Sequence, residues 1–332
     1  MRVAIIGCGS IAKVHADVIN KMPNVTLVSL ADCRIERAAE YARIYGGEHT
    51  HSYSSYEEMI TMEKPDVIHI CTPHYLHVPM ALYGLTHGCN VFMEKPPAIS
   101  REQFLLLEKA STTKYCGFCF QNRYNESTKL VKELLKKKEN GNVLGARAFV
   151  TWCRNKNYYT ESGWRGSWAM EGGGALINQA IHTLDLLVQF LGKPLKAEAS
   201  MRQHHLRGII EVEDSLEAYI QFPSSTACFY ATTAYCKDAP IFIEIECENV
   251  TIRLEGSDVS CLYPNGRKED YRYQPGITVG KSYWGVGHKA CIEDFYYSIR
   301  ENIPYQNNLA SVKDTFSLMM DIYESGRLNE NC

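Results

Sequence analysis

A short apolar run, Val3-Ala4-Ile5-Ile6, breaks into Gly7-Cys8-Gly9-Ser10-Ile11-Ala12, a match to G-x-G-x-x-G/A. Few stretches restrict a fold so tightly. The run has the composition of a buried parallel strand, Gly7 permits a tight turn, and Gly9 lets backbone approach a pyrophosphate. Ala12 is small enough for the next helix to lie close on the strand. That helix, expected over 11–22, aims the N–H groups at Ser10, Ile11 and Ala12 toward the phosphates. A second strand, 26–31, ends at Asp32, placed to accept hydrogen bonds from the adenosine ribose. Its charge opposes a 2′-phosphate, so NAD is expected over NADP, although Arg34 and Arg37 stand close by. An N-cap for a helix over 34–45 is the other use of Asp32.

Strand and helix patterns keep alternating. A helix opens at Ser54 with a possible capping box, Ser54 to Glu57, and Val67–Cys71 reads as a strand. At the end of that strand stand Thr72, Pro73, His74 and His77, where open parallel sheets bind ligands; Pro73 would stiffen the turn beside a nicotinamide. A helix over 78–87 and a strand over 90–93 then deliver Glu94-Lys95-Pro96-Pro97. A lysine at a strand end, between a carboxylate and prolines, is a candidate catalytic group, and Glu94 is placed to hold it. A helix over 101–109 and a strand over 115–120 complete a doubly wound parallel sheet, giving an NAD-binding Rossmann domain over 1–120.

The pattern changes after Gln121. A charged helix over 127–139 is followed by long alternating runs at 146–154, 216–222, 227–234, 241–247 and 250–254. They predict a large, mostly antiparallel open sheet, so 121–332 is expected to be an α/β substrate-binding and oligomerisation domain, with its last helix expected to return to the first domain. A homodimer or homotetramer is the expected assembly. Trp164 and Arg165 precede a glycine run, Gly172-Gly173-Gly174, that opens a helix. On one face of it Asn178 and His182 lie four apart, and Asp185 is spaced to orient the His182 imidazole. Farther on, Tyr283-Trp284-Gly285 leads to His288, a candidate for the pocket.

Composition removes several function classes. The chain of 332 residues carries a net charge of −3, giving no basic footprint for nucleic acid. No apolar run reaches the roughly 18 residues of a membrane helix, and no signal peptide is expected. The 13 cysteines include one CxxC, Cys116 and Cys119, in a strand pattern. Without a second pair at zinc spacing they are expected to be structural thiols, with no metal, in a reducing cytoplasm.

Taken together, several pieces resemble the Gfo/Idh/MocA family of nicotinamide-dependent sugar and inositol oxidoreductases. They are Gly7-x-Gly9-x-x-Ala12-x-x-His15, Thr72-Pro73-x-x-x-His77, Glu94-Lys95-Pro96, Gln121-Asn122-Arg123-Tyr124, Trp164-Arg165, and Gly172-Gly173-Gly174 with His182-x-x-Asp185. The resemblance implies a sugar or polyol substrate and places Lys95 and His182 at the reacting carbon. Many members carry an aspartate four residues before the histidine, where this chain has Asn178. The chemistry expected is hydride transfer from a secondary alcohol to nicotinamide. His182 would act as general base and Lys95 would stabilise the alkoxide, while Asn178, Arg123, Tyr124, Trp164, Arg165 and His288 orient the sugar. Two alternatives stand beside it. One is a redox-neutral glycoside-processing enzyme that recycles tightly bound NAD; the other is a non-catalytic dinucleotide-binding regulator.

Overall fold

The computed structural model describes residues 1–110, 114–273 and 286–330. The chain divides into two compact units, Met1–Gln121 with Ile277–Val312, and Asn122–Gly276 with Lys313–Cys332. The first thus ends beside the expected boundary but regains a later segment.

In the first unit six parallel strands, β1 (Arg2–Ile6), β2 (Thr26–Ala31), β3 (His51–Tyr53), β4 (Val67–Ile70), β5 (Asn90–Met93) and β6 (Cys116–Phe118), take the order β3-β2-β1-β4-β5-β6. That is the dinucleotide-binding order, and the reversal between β1 and β4 is where such sheets hold their ligand. The central strands are apolar on both faces because helices cover both, so Val3, Ile5, Val67, Ile68 and Val91 are wholly buried. The helices are α1 (Ala12–Ile19), α2 (Ile35–Tyr45), α3 (Tyr56–Glu63), α4 (His74–Thr86) and α5 (Arg101–Ala110).

Two helix starts differ from expectation. The cap of α3 is Ser55, whose Oγ accepts from Glu58 N at 3.1 Å, one residue later than the predicted box. Helix α4 begins four residues early, directly after Pro73, and contains Pro79. Pro73 suits the N-cap, where no intrahelical N–H bond is lost, whereas Pro79 lies past the unpaired N–H groups of the first turn and removes one bond to the Tyr75 carbonyl.

The second unit holds an eight-stranded sheet. Its strands are β7 (Val143–Thr151), β8 (Lys196–Arg202), β9 (Ser215–Gln221), β10 (Thr226–Thr232), β11 (Phe242–Cys247), β12 (Thr251–Glu255), β13 (Asp258–Leu262) and β14 (Lys268–Tyr271). They run β14-β13-β12-β11-β7-β10-β9-β8, antiparallel except for the β7–β10 pair. Alternation marked β7, β9, β10, β11 and β12; the edge strands β8 and β14 and the short inner strand β13 were not among the expected runs. Helices α6 (Glu126–Lys136) and α8 (Ile181–Leu191) lie on the sheet, and a short helix α7 (Lys156–Thr160) follows β7. Strand β8 ends at Arg202. Beyond it Asp214 accepts the N–H groups of His204, His205 and Leu206.

Helix α9 (His288–Glu301) closes the first unit, and α10 (Leu309–Glu330) runs from the returning segment into the second. Among the described residues no helix is long and apolar enough to cross a membrane, and the described cysteines are all free.

Gly117 shows how tightly the returning segment is fitted to the first unit. A Cβ there would stand 2.7 Å from the rings of Phe295 and Tyr305, both buried. Gly117→Ala should therefore cost about 1–3 kcal/mol in urea unfolding. An unchanged midpoint would show that α9 does not pack on β6 as described.

Candidate active site

The turn after β1 is built for close approach. Gly7 has φ +89°, and a Cβ on it would lie 2.7 Å from the Cys71 carbonyl at the end of β4. A Cβ on Gly9 would meet nothing within 4 Å, so that backbone is open to a ligand. Tyr41 holds the turn by donating to Gly9 O at 2.8 Å. Asp32 ties it to β2: one carboxylate oxygen accepts Cys8 N at 2.9 Å, the other Arg34 N at 2.9 Å. The second bond is a turn two residues long rather than the cap of α2, whose N-cap is Arg34. Burial, and then the Asp32 charge, push the Cys8 thiol up to about 12, so it stays protonated. An open glycine turn before a helix, with a carboxylate at the neighbouring strand end, fits a dinucleotide.

The loops after β4 and β5 meet through His77. Its Nδ1 lies 2.9 Å from Pro96 O and its Nε2 3.0 Å from Thr72 O, so one buried ring bridges the Thr72-Pro73 turn and the Lys95-Pro96 turn. His74, expected against the cofactor, is the first residue of α4 and is buried.

Glu94 is the focus of a network that motif reading only half foresaw. Tyr296 Oη lies 2.8 Å from His69 Nε2, His69 Nδ1 lies 2.8 Å from His15 Nδ1, and His15 Nε2 lies 3.0 Å from Glu94 Oε1. All four residues are buried. Burial alone would push the Glu94 carboxyl up. The His15 hydrogen bond and the neighbouring charges of His15, His288 and Lys95 outweigh it and hold the group well below the usual carboxylate range. An ionised carboxylate only accepts. His15 Nε2 therefore donates to Glu94, and the His15–His69 and His69–Tyr296 bonds continue the line to α9. Burial, reinforced by His15, pushes His69 well below its ordinary value, in keeping with a neutral ring.

His288 joins this surrounding rather than standing apart. Burial pushes its imidazole down to about 4; the Glu94 charge opposes that, and His15 and Lys95 add to it. Tyr283, Trp284 and Gly285, just before it, lie outside the described residues. The Cys119 thiol lies in the same cluster, within 4.8 Å of the His15 and Glu94 ligand atoms, and burial keeps it protonated. Lys95 follows Glu94, partly exposed, with its peptide bond to Pro96 cis.

In the second unit the glycine run gives way to a π-helical segment, Ala175–Ala180, before α8 begins at Ile181. Asn178 and His182 therefore straddle a change of helical pitch instead of sharing one regular helix face. The buried Glu213 carboxyl accepts Gly174 N at 2.9 Å and Leu176 N at 3.0 Å, while Tyr323 Oη accepts Ile177 N at 3.1 Å. Side chains from the segment before β9 and from α10 thus cap this helix start. The glycines are needed for that: a Cβ on Gly173 would collide with Tyr323, and one on Gly174 with the Glu213 backbone.

Asp185 corrects an expectation. Its carboxylate does not orient His182; it pairs with Arg123, with Nε at 2.7 Å and Nη2 at 2.5 Å, and accepts from Thr315 Oγ1 at 2.7 Å. Arg123, expected against a sugar, is buried in this ion pair, which ties the Gln121–Tyr124 turn to α8. Tyr124 at the end of that turn, Trp164, Arg165, Asn178 and His182 are all partly exposed. The Arg165 guanidinium stacks 4.4 Å from the Tyr158 ring centroid and 4.8 Å from that of Trp164. Sequence reading passed over Glu171, buried behind Asn178 and bonded to it, and Tyr158, whose hydroxyl both Asn178 and Gln179 approach. An acid directly before a glycine run was the one available signal.

Comparison with known proteins agrees with this architecture. Residues 1–116 match the family described as "Oxidoreductase family, NAD-binding Rossmann fold", and residues 128–253 match the "GFO/IDH/MocA C-terminal domain". The D-glucoside 3-dehydrogenase of Escherichia coli (strain K12) is 32% identical over 241 residues, 67% of this chain and 67% of that protein. Among solved structures, the WlbA dehydrogenase from Bordetella pertussis, in complex with NADH and UDP-GlcNAcA, superposes with a TM-score of 0.85 at 24% identity. The match covers 99% of this chain and 97% of that one. A levoglucosan dehydrogenase in complex with NADH and levoglucosan gives 0.87 at 21% identity, again over 99% and 97%. At such identities the two structures speak for the fold alone. The chain belongs to the Gfo/Idh/MocA family of oxidoreductases, and its first unit carries the NAD-binding Rossmann fold.

The proton chain makes a direct prediction. Tyr296→Phe removes the hydroxyl bonded to His69 Nε2 and leaves a buried ring nitrogen unsatisfied, so it should lower stability by about 1–3 kcal/mol in urea unfolding. A neutral substitution would show that the Tyr296 hydroxyl takes no part in the chain.

Proposed function

We propose that the protein is an NAD-dependent dehydrogenase acting on a secondary ring hydroxyl of a carbohydrate, with C3 of a D-glucoside as the first position to test. The observation that carries the reading is Lys95: it follows a buried, ionised carboxylate at the carboxyl end of β5, the same sheet edge that presents the open glycine turn after β1. The name of the E. coli relative supports the choice of a glucoside and of C3.

Gly7, Gly9, Ser10, Ile11 and Ala12 would hold the pyrophosphate of NAD, Asp32 its ribose, and Thr72, Pro73 and His74 would border the nicotinamide. Bound NAD supplies the hydride acceptor. His182 takes the hydroxyl proton, since an imidazole ordinarily titrates near neutrality. Lys95, as an ammonium, stabilises the negative charge developing on the same oxygen. Glu94 keeps that ammonium in place. Asn178, Tyr124, Trp164 and Arg165 orient the sugar by hydrogen bonds and ring contact.

The test is a screen of D-glucosides, free sugars and inositols with NAD and NADP, following both reduced cofactor and released aglycone. Reduced cofactor should accumulate with a glucoside, faster with NAD than with NADP. Lys95→Ala and His182→Ala should each lower kcat by about 10²–10⁴. Aglycone release without net NADH would replace this reading with the redox-neutral one. Turnover that survives both substitutions would remove the assigned roles.

A further inference from the structure

Glu171 takes no part in the chemistry just described, yet it is wholly buried directly behind a residue assigned to the substrate. One of its oxygens accepts the Gly166 N–H at 2.5 Å, which ties it to the turn that carries Trp164 and Arg165. The other accepts from Asn178 Nδ2. Asn178 is itself partly exposed, so the carboxyl lies on the inner side of the amide. The same Nδ2 lies 3.3 Å from the Tyr158 hydroxyl, which also receives Gln179 Nε2 at 3.2 Å.

A carboxamide has a donor end and an acceptor end of nearly equal shape, and its surroundings decide which end points where. An ionised carboxylate offers acceptors only. With Glu171 ionised, the NH₂ end of Asn178 must face inward, and the carbonyl Oδ1 is turned the other way. With Glu171 protonated, one of its oxygens can donate, and the amide is free to turn over.

We propose that Glu171 is a positioning residue that fixes the Asn178 carbonyl as an acceptor for a substrate hydroxyl, and that protonating Glu171 releases this constraint. The part of the proposal that names a hydroxyl rests on the function proposed above; the part that orients the amide does not. Position 178 thus carries no charge of its own, but a titrating carboxyl stands one hydrogen bond behind it.

The titration falls in a useful range. Burial pushes Glu171 up to about 7; the Gly166 and Asn178 hydrogen bonds and the Arg165 charge oppose the rise, and the Glu213 charge adds to it. Among the described residues the phenols of Tyr159 and Tyr323 also face it, with burial keeping both protonated, and the Tyr158 hydroxyl shares the Asn178 amide nitrogen with it. The fixed, acceptor-outward state therefore holds above about pH 7 and is lost as pH falls through that value.

The experiment reads the amide itself. In nitrogen-15-labelled full-length protein, the Asn178 side-chain NH₂ pair is the one missing from Asn178→Asp. It should move with a midpoint near pH 7 in the wild-type protein and stay still in Glu171→Gln. A wild-type pair that does not move between about pH 5.5 and 8.5, or one that moves equally in Glu171→Gln, overturns the proposal. The wild-type titration decides this even if the variant does not fold. With an oxidised glucoside in hand, KM should rise about tenfold from pH 8 to pH 6 with kcat retained, and Glu171→Gln should abolish that pH dependence. A fall in kcat at constant KM contradicts the role. If no carbohydrate is oxidised, the proposed function fails while the NMR titration still judges Glu171.

Discussion

An ionised carboxylate buried at the end of a central strand is costly unless its neighbours supply donors or charge. Glu94 is such a group, and much of the first unit around it answers that demand. His15 reaches it from α1, His69 supports His15 from β4, Tyr296 supports His69 from α9, and His288 stands at the first residue of α9. The partners come from α1, β4 and α9, so the network also holds two helices to the sheet. Lys95 inherits its place from this arrangement, because the residue before it cannot move without stranding a buried charge.

The second unit solves a parallel problem at a helix start. The N–H groups at the opening of Ala175–Ala180 would be costly if buried without partners. Glu213 and Tyr323 satisfy three of them, and the glycines make room for both side chains. Asn178 and His182 are thereby fixed where the π segment passes into α8. The Arg123–Asp185–Thr315 cluster secures the same helix from its other side, which is why Asp185 is not available to His182.

Much of this was legible in the chain itself. The glycine fingerprint, the β-α alternation and the Glu94-Lys95-Pro96 turn depend on local sequence, and they led to the right sheet and cofactor class. Contacts between residues far apart in the chain were not legible. His69 looked like one more residue of an apolar strand, and its partner Tyr296 lies 227 positions away. Asp185 has the right spacing for His182, but spacing along a helix cannot reveal an arginine arriving from another element. Glu171 was hidden for a similar reason: nothing in a single acid before three glycines says that it will be buried against an amide.

The reaction proposed for this chain is hydride transfer from a sugar carbon to nicotinamide. A methyl D-glucoside carrying deuterium at C3 tests it most directly, with the cofactor recovered and weighed by mass spectrometry after turnover. One deuterium is expected in the reduced cofactor, with a ketone at C3 of the sugar. Reduced cofactor without deuterium, or a sugar that loses its aglycone while the cofactor stays oxidised, would contradict it.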